Sequence, residues 1–290
     1  MTGVINVYKE KGYTSHDVVA ITRRLAGTKK VGHTGTLDPD AMGVLPICIG
    51  RATKLADYLA SANKTYIAEV ILGVETDTGD ISGEIIAEKP VAFDENAITE
   101  AVNSFAFELC GEYMQIPPMY SAIKIGGRKL YELARKGETI ERPPRPVIIH
   151  NIQVLSFSPD KNSFTIEVTC SKGTYIRSLA TDIGKLLGCG ATMGELERTQ
   201  SGLFTKADAH KLDKIKKSTE SGQLQELLMP VETLLPYPKI QISGHDLTLA
   251  KNGNPLPLPI EKGKYWLCNG NETIGLFASD SKKLRAEVML

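Results

Sequence analysis

The sequence predicts an α+β fold built around a mixed or antiparallel sheet. Three observations carry that reading. Ser163–Cys170 alternates strictly, with Phe164, Ile166, Val168 and Cys170 on one side, the period-2 pattern of a half-buried strand. The period then changes: Ile176, Leu179, Ile183 and Leu186 recur at helical spacing in a segment opened by Thr174 and closed by Gly188. Strands and helices follow one another without the regular β–α repeat of a doubly wound parallel sheet.

The remaining elements fall into place in chain order. Residues 3–7 (Gly-Val-Ile-Asn-Val) read as the first strand. Ser15 is placed to cap a helix with Val18, Ile21 and Leu25 on one face, stopped at Gly27. Residues 65–72 form a β-branched run bounded by Gly73, and residues 147–157 form a second. Between them, residues 94–110 carry Ile98, Val102 and Phe105 at helical spacing. Leu235-Pro236-Tyr237-Pro238 then breaks the pattern. Beyond it Gly253, Pro255, Pro257, Pro259, Gly263, Gly270 and Gly275 punctuate a tail that reads as short strands and turns. At roughly 50 residues such an all-β module is near the lower limit for a core of its own, so it should lean on the main domain. The expected division is therefore 1–235 and 236–290.

Composition narrows the function classes. Hydrophobic content of 42% and charged content of 23% are those of a folded globular chain rather than a disordered one. No apolar run approaches the roughly 20 residues that span a bilayer. Residues 1–7 lack the basic region and long apolar stretch of a signal peptide. Five cysteines (Cys48, Cys110, Cys170, Cys189 and Cys268) form no C-x-x-C pair, which speaks against a disulfide framework or a zinc site and for a reduced, cytoplasmic compartment. Asp77-Thr78-Gly79-Asp80 glances at a calcium loop but fails its spacing, and no dinucleotide, P-loop or zinc-protease motif is present. No cofactor or metal is expected. The formal net charge is zero, yet the charges are segregated. Residues 75–112 are acidic with Lys89 the lone base, whereas residues 119–150 set Lys124, Arg128, Lys129, Arg135, Lys136, Arg142 and Arg145 against Glu132, Glu138 and Glu141. A neutral total can thus hide a basic surface.

The candidate catalytic residue is Asp38. It lies in Gly32-His33-Thr34-Gly35-Thr36-Leu37-Asp38-Pro39-Asp40-Ala41-Met42-Gly43-Val44-Leu45-Pro46, where glycines permit tight backbone geometry and Pro39 keeps Asp38 out of helical conformation. Leu37, Val44, Leu45 and Ile47 should hold the loop against the core. Asp before Pro is also a common turn opener, so the motif gains its meaning from what accompanies it.

Its companions are Lys64-Thr65-Tyr66, Pro117-Pro118-Met119-Tyr120-Ser121-Ala122-Ile123-Lys124, Lys172-Gly173-Thr174-Tyr175-Ile176-Arg177 and Gly194-Glu195-Leu196-Glu197-Arg198-Thr199. In this order, from Gly3 to about Gly202, they resemble the bacterial tRNA pseudouridine synthase B family, which isomerises uridine 55 in the tRNA T-loop. The resemblance implies a pseudouridine synthase fold: a long mixed, mainly antiparallel sheet with a central catalytic cleft, followed by a small PUA-like module. It implies that Asp38 acts on the ribose, at C1′ as nucleophile or at C2′ as base. A closed pocket disfavours an ionised carboxylate, so a cation must oppose that, and Arg177 matches the family's arginine. Tyr66 matches a tyrosine that stacks on the target base, Leu196 packs on the base's other side, and His33 matches the histidine that holds the flipped RNA. Lys54 and Asp80 match polar residues near the cleft, and Tyr175 should pack under the catalytic pair. Taken alone, Tyr66 reads equally as a core aromatic, Leu196 reads as a core leucine at odds of roughly five to one, and Lys54 and Asp80 read equally as surface or salt-bridge residues.

By the same resemblance, residues 119–146 form a thumb over the T-arm, with Lys124, Arg128, Lys129 and Arg135 as candidate phosphate contacts. Glu197 interrupts the basic character expected beside Arg198. The expected partner is the tRNA T-arm alone, with a monomeric enzyme needing no membrane or protein partner. Two rivals stand beside this reading. A guide-dependent dyskerin-type synthase shares the Asp loop, though the short N-terminus and absence of basic tails favour a stand-alone enzyme. A tRNA-folding module without essential catalysis would not need both Asp38 and Arg177.

Overall fold

A computed structural model of the chain describes residues 1–92, 94–108 and 111–290, so Cys110 lies outside the described residues. Strand β1 (Gly3–Lys9) leads to helix α1 (Ser15–Ala26), then to β2 (Val31–His33) and β3 (Met42–Ile49). The helix is capped one residue earlier than the sequence suggests: Thr14 and Asp17 form a reciprocal capping box. Ser15 is thereby released, and its buried hydroxyl donates to the Leu37 carbonyl (3.1 Å) while accepting from the Leu37 N–H (2.9 Å). The residue before Asp38 is pinned by a side chain that a capping argument assigns elsewhere.

A short helix α2 (Ala56–Ala60) precedes β4 (Lys64–Leu72), and a small hairpin of β5 (Val74–Thr76) and β6 (Ile85–Glu88) follows. Helix α3 (Glu95–Glu108) and β7 (Gly111–Gln115) lead into the insertion. The insertion is more than a solvated loop. It holds a hairpin of β8 (Lys124–Ile125) and β9 (Arg128–Lys129), a short helix α4 (Leu130–Ala134), and a buried cluster of Met119, Leu130 and Leu133. The hairpin tip, Gly126-Gly127, has φ of +58° and +82°, the left-handed pair a two-residue turn requires. The chain returns along β10 (Arg145–Ser158) and β11 (Ser163–Cys170), enters α5 (Ile176–Leu186), and continues through β12 (Ala191–Ser201), β13 (Phe204–Thr205), α6 (Leu212–Glu220) and α7 (Val231–Leu234).

The main sheet is nine-stranded and mixed, in the order β1-β3-β12-β4-β11-β10-β7, with β2 and β13 attached to β3 and β12. Antiparallel pairing dominates; β12 and β3 run parallel, and only at Glu197–Met42 and Arg198–Gly43. At the other end of β3 the same pairing edge is taken by β2, with His33 opposite Ile47. Residues 34–41, the Asp38 loop, therefore sit where one strand stops pairing with β3 and another begins. The strict alternation of Ser163–Cys170 survives as alternating burial, and α5 buries Ile176, Leu179 and Ile183 while Leu186 lies exposed beyond the core-facing stripe.

The tail forms a four-stranded sheet, β14 (Lys239–Gln241), β15 (Gly263–Asn269), β16 (Glu272–Ser279) and β17 (Leu284–Met289), with one helix, α8 (Gly244–Lys251), among its strands. The Gly and Pro spacing of the tail predicts its strands but not this helix, which sits ahead of all of that punctuation and buries Ala250. The module leans on the main domain as expected. Trp266 is fully buried in a cluster with Val4, Val44, Cys48, Leu55 and Phe204, and its indole N–H donates to the Leu235 carbonyl at 2.8 Å. Cys48, Cys170, Cys189 and Cys268 are free and buried, and burial pushes the Cys48 thiol up to about 12. Among the described residues, no helix is long and apolar enough to cross a membrane.

Candidate active site

The site is assembled at the loop-bearing end of β3, around the guanidinium of Arg177. This arginine occupies the first turn of α5 and its side chain is 6% exposed. Its Nη2 stands 3.2 Å from Asp38 Oδ2, and its Nη1 stands 3.6 Å from Asp80 Oδ2. Two main-chain carbonyls complete the ring: Thr78 O accepts from Nη1 (3.2 Å) and Tyr120 O from Nη2 (2.9 Å). One cation thus ties together the Asp38 loop, the turn carrying Asp80, and the root of the insertion.

The burial is the reverse of the closed-carboxylate expectation. The Asp38 side chain is 44% exposed, so the open partner is the acid and the buried partner is the base. Arg177 remains compensated in its pocket because Asp80 backs it from the other side. Asp80 is itself held: its Oδ1 accepts from Thr78 Oγ1 (2.8 Å), Ser82 N–H (3.0 Å) and Ser82 Oγ (2.5 Å). Its turn is stitched to β12 by Ile81 N–H to Met193 O and Met193 N–H to Gly79 O, both 3.0 Å.

Beneath Asp38 the loop is braced by two buried cations that the sequence reading did not single out. Lys9, 0% exposed, donates to the carbonyls of Glu10 (3.1 Å), Tyr13 (2.6 Å) and Pro39 (2.9 Å). Arg198, 1% exposed, donates from Nε to Val44 O (2.7 Å), from Nη2 to Gly35 O (3.2 Å) and from Nη1 to Thr36 O (3.4 Å). Burial pulls the Lys9 ammonium down to about 8, with Asp40 and Asp38 opposing that pull. Three carbonyl acceptors match its three N–H bonds, so it serves as a cationic donor at neutral pH. At Gly43 (φ +111°) an added Cβ would meet the Arg198 carbonyl oxygen at 2.2 Å, so the loop's return is open to glycine alone. Glu197, next to Arg198, accepts from Tyr8 Oη at 2.7 Å and pairs with Lys206 at 2.7 Å. Arg198 faces the loop and Glu197 faces a lysine; neither is free for RNA.

The other expected residues divide cleanly. Tyr66 and Leu196 lie on one face of the sheet, because Tyr66 is opposite Arg198 and Leu196 is opposite Ala68 across the β4–β12 pair. An extra residue bulges β12 between Met193 and Leu196, resetting which way Leu196 points. Burial raises the Tyr66 phenol, with the Arg198 guanidinium opposing. His33 is half-buried; its Nδ1 accepts from the Gly35 N–H (3.2 Å), which leaves Nε2 as the protonated nitrogen of the neutral ring. Its ring meets His16 edge-on with centroids 5.6 Å apart, and burial, then His16 and Arg198, hold its basicity below the usual imidazole value. Tyr175 precedes α5, and burial raises its phenol. Lys54 stands apart. It is exposed on the 3-10 turn Gly50–Leu55, beyond the far end of β3 from the Asp38 loop, because the strand carries the chain away from the site before that turn begins.

In the insertion, Lys124 and Arg128 are exposed on the β8–β9 hairpin, with Arg128 paired to Glu138 at 3.7 Å. Lys129 and Arg135 both lie over the Tyr131 ring, 5.3 Å from its centroid. Basic side chains interleaved with an aromatic form a surface suited to nucleic acid. Among the described residues, no group of three or more His, Cys, Asp or Glu side chains is placed to hold a metal ion.

Comparison with known proteins follows the same outline. Residues 23–176 match the model of the TruB family pseudouridylate synthase N-terminal domain, and residues 177–236 that of the tRNA pseudouridylate synthase B C-terminal domain. The tRNA pseudouridine synthase B of Bacillus pumilus is 48% identical over 266 residues, covering 90% of this chain and 85% of its own. That of Geobacillus kaustophilus is 45% identical over 287 residues, covering 92% and 100%. Among solved structures, an H/ACA ribonucleoprotein bound to a substrate RNA containing 2′-deoxyuridine superposes with a TM-score of 0.71 at 26% identity, covering 99% of this chain and 84% of that one. A Cbf5–Nop10–Gar1 complex gives 0.71 at 27% identity over the same shares.

Proposed function

The chain belongs to the TruB family of pseudouridylate synthases, and we propose that it isomerises the T-loop uridine of tRNA, position 55, to pseudouridine as a stand-alone enzyme. The observation that carries this reading at the level of residues is the Asp38–Arg177 contact at 3.2 Å, with the carboxylate exposed and the guanidinium buried behind it. The reaction breaks the N1–C1′ bond of the uridine, turns the uracil, and joins C5 to C1′. N1 gains a proton and C5 loses one, so the product is an isomer.

A base inside a stacked loop must first leave its stack. Tyr66 and Leu196, both buried, stand side by side on one face of the sheet rather than on two sides of a base, so the extruded uracil meets them from one side, and an aromatic contact of this kind contributes about 1 to 3 kcal/mol per base. The Nε2–H of His33, whose other ring nitrogen is taken by the Gly35 N–H, is the donor offered to the displaced RNA. Asp38 acts on the ribose, either at C1′ or at C2′; both routes use the ionised carboxylate, which Arg177 holds in one orientation. Lys124, Arg128, Lys129 and Arg135 hold the phosphates of the T-arm without reading its sequence. Catalysis and RNA clamping belong to residues 1–235, and residues 236–290 form the PUA-like module. Identity of 45–48% to tRNA pseudouridine synthase B over most of the chain favours this reading over one based on the ribonucleoprotein and Cbf5–Nop10–Gar1 complexes matched at 26–27%.

The test is incubation of the protein alone with an unmodified tRNA transcript, followed by mapping of pseudouridine. Product at position 55 without any guide or partner is expected. No product, or product only with a guide RNA, would overturn the proposal.

A further inference from the structure

Gln115, the last residue of β7, is 2% exposed, and its carboxamide makes a closed pair with the main chain of Tyr175. The Tyr175 N–H donates to Oε1 at 2.8 Å, and Nε2 donates to the Tyr175 carbonyl at 3.0 Å. This is the exchange two strands make, supplied here by a side chain. It falls at a helix start that lacks any side-chain cap, one residue before α5 and two before Arg177.

Two more bonds join the same segments. Ser178 Oγ donates to the Ile116 carbonyl, and Arg177 Nη2 to the Tyr120 carbonyl, both at 2.9 Å. The root of the basic insertion, residues 115–120, is therefore bolted to residues 175–178 by three side chains. The Nη2 that reaches Tyr120 also stands 3.2 Å from Asp38. A shift of the root moves the guanidinium, and the guanidinium orients the acid.

We infer that Gln115 is a positioning residue for the isomerisation: it locks the turn bearing Arg177 to the root of the insertion, so that RNA seated on the insertion and the carboxylate of Asp38 share one joint. It touches neither the reacting atoms nor the RNA. The inference rests on the placement of Arg177 in the catalytic site, and the test separates the two.

The full-length chain is assayed under single-turnover conditions, with enzyme in excess over unmodified tRNA transcript and at saturation, so that the rate constant reports only folded enzyme. Gln115→Met keeps the volume and removes both hydrogen bonds. A rate constant about 30-fold lower is expected, because small displacements of positioned groups cost up to roughly a hundredfold, with tRNA affinity changed by less than about threefold. Gln115→Glu keeps the acceptor for the Tyr175 N–H and sets a carboxylate against its carbonyl, and should lie between wild type and Gln115→Met. Melting curves establish that each variant folds, and should Gln115→Met not fold, Gln115→Glu carries the test. Rate constants within about twofold of wild type in the folded Gln115 variants would overturn the inference, as would a loss confined to affinity. Arg177→Lys is the control. If it slows the reaction while the Gln115 variants do not, this inference alone falls; if it leaves the rate unchanged, the placement of Arg177 falls with it.

Discussion

The Asp38 loop and the insertion are both irregular segments attended by cations, and they use that charge in opposite ways. Under the loop, Lys9 and Arg198 are fully buried, and the hydrogen bonds they donate end on main-chain carbonyls at six points. In the insertion, Lys124, Arg128 and Arg135 are exposed and lie on a hairpin and a short helix. A buried cation surrounded by carbonyls is a multi-pronged donor that fixes backbone where strand pairing is missing. An exposed cation over an aromatic ring keeps its charge available for phosphate. The residue types are the same; burial decides whether they bind the protein's own backbone or stay available to a partner.

The comparison breaks most visibly at Arg198. Arg198→Met keeps much of the volume and leaves Val44 O, Gly35 O and Thr36 O without their donor. We expect a loss of about 3 kcal/mol in a urea unfolding titration, since hydrogen bonds from charged groups contribute about 1.5 to 3 kcal/mol each and are not additive. The salt dependence of tRNA affinity in the folded fraction should be unchanged. A loss below about 1 kcal/mol would mean the loop holds its shape without this brace.

The insertion should answer in the other currency, binding. Replacing Arg128, Lys129 and Arg135 by alanine should weaken tRNA affinity by about tenfold or more and reduce the salt slope by about 2 to 3. Stability should fall by no more than about 1 to 2 kcal/mol, the loss of two surface contacts with Tyr131 and the Arg128–Glu138 pair, and turnover at saturating tRNA should be preserved. Unchanged affinity and slope across a salt series would show that the RNA is held elsewhere.

The smallest effect sharpens the boundary between the two regions, at His33. Its folded-state basicity is lowered, chiefly by burial and then by His16 and Arg198. The unfolded chain therefore binds the proton first as pH falls below about 6.5, and stability is lost from there down through the folded-state value. His33→Asn keeps an acceptor for the Gly35 N–H and cannot titrate, so it should flatten part of that decline and leave stability at pH 7.5 near wild type. His210, similarly lowered by burial and then Lys214, accounts for some of the remaining slope. An acid-unfolding profile unchanged by His33→Asn would show that this ring is not shielded by the loop.

Much of the Asp38–Arg177–Asp80 cluster is legible because backbone constraints and chemistry coincide in the sequence. The glycines and Pro39 announce the Asp38 loop, and the switch from period 2 to period 3.6 places Arg177 in a first helical turn. What was not legible has a common cause. Ser15, Lys9, Arg198 and Gln115 all act on main-chain atoms, which carry no residue-type signal at the receiving end. A hydroxyl before a helix usually caps it, so Ser15 reads as a cap, yet Thr14 with Asp17 takes that role. Only resemblance places Lys54 near the site, and the direction of β3 takes it away. Helix α8 escaped because Gly and Pro spacing reports turns, not what lies between them.

The claim on which the rest depends is that the open acid does the chemistry while the buried cations only hold it in place. Asp38→Asn tests it most directly, because it keeps the side chain's shape and the loop's bracing by Arg198 and Lys9, and removes only the charge. Pseudouridine formation in a single-turnover assay on unmodified tRNA should fall by at least about a thousandfold, with tRNA affinity and melting temperature close to wild type. Turnover within about tenfold of wild type by a folded Asp38→Asn enzyme would contradict the account.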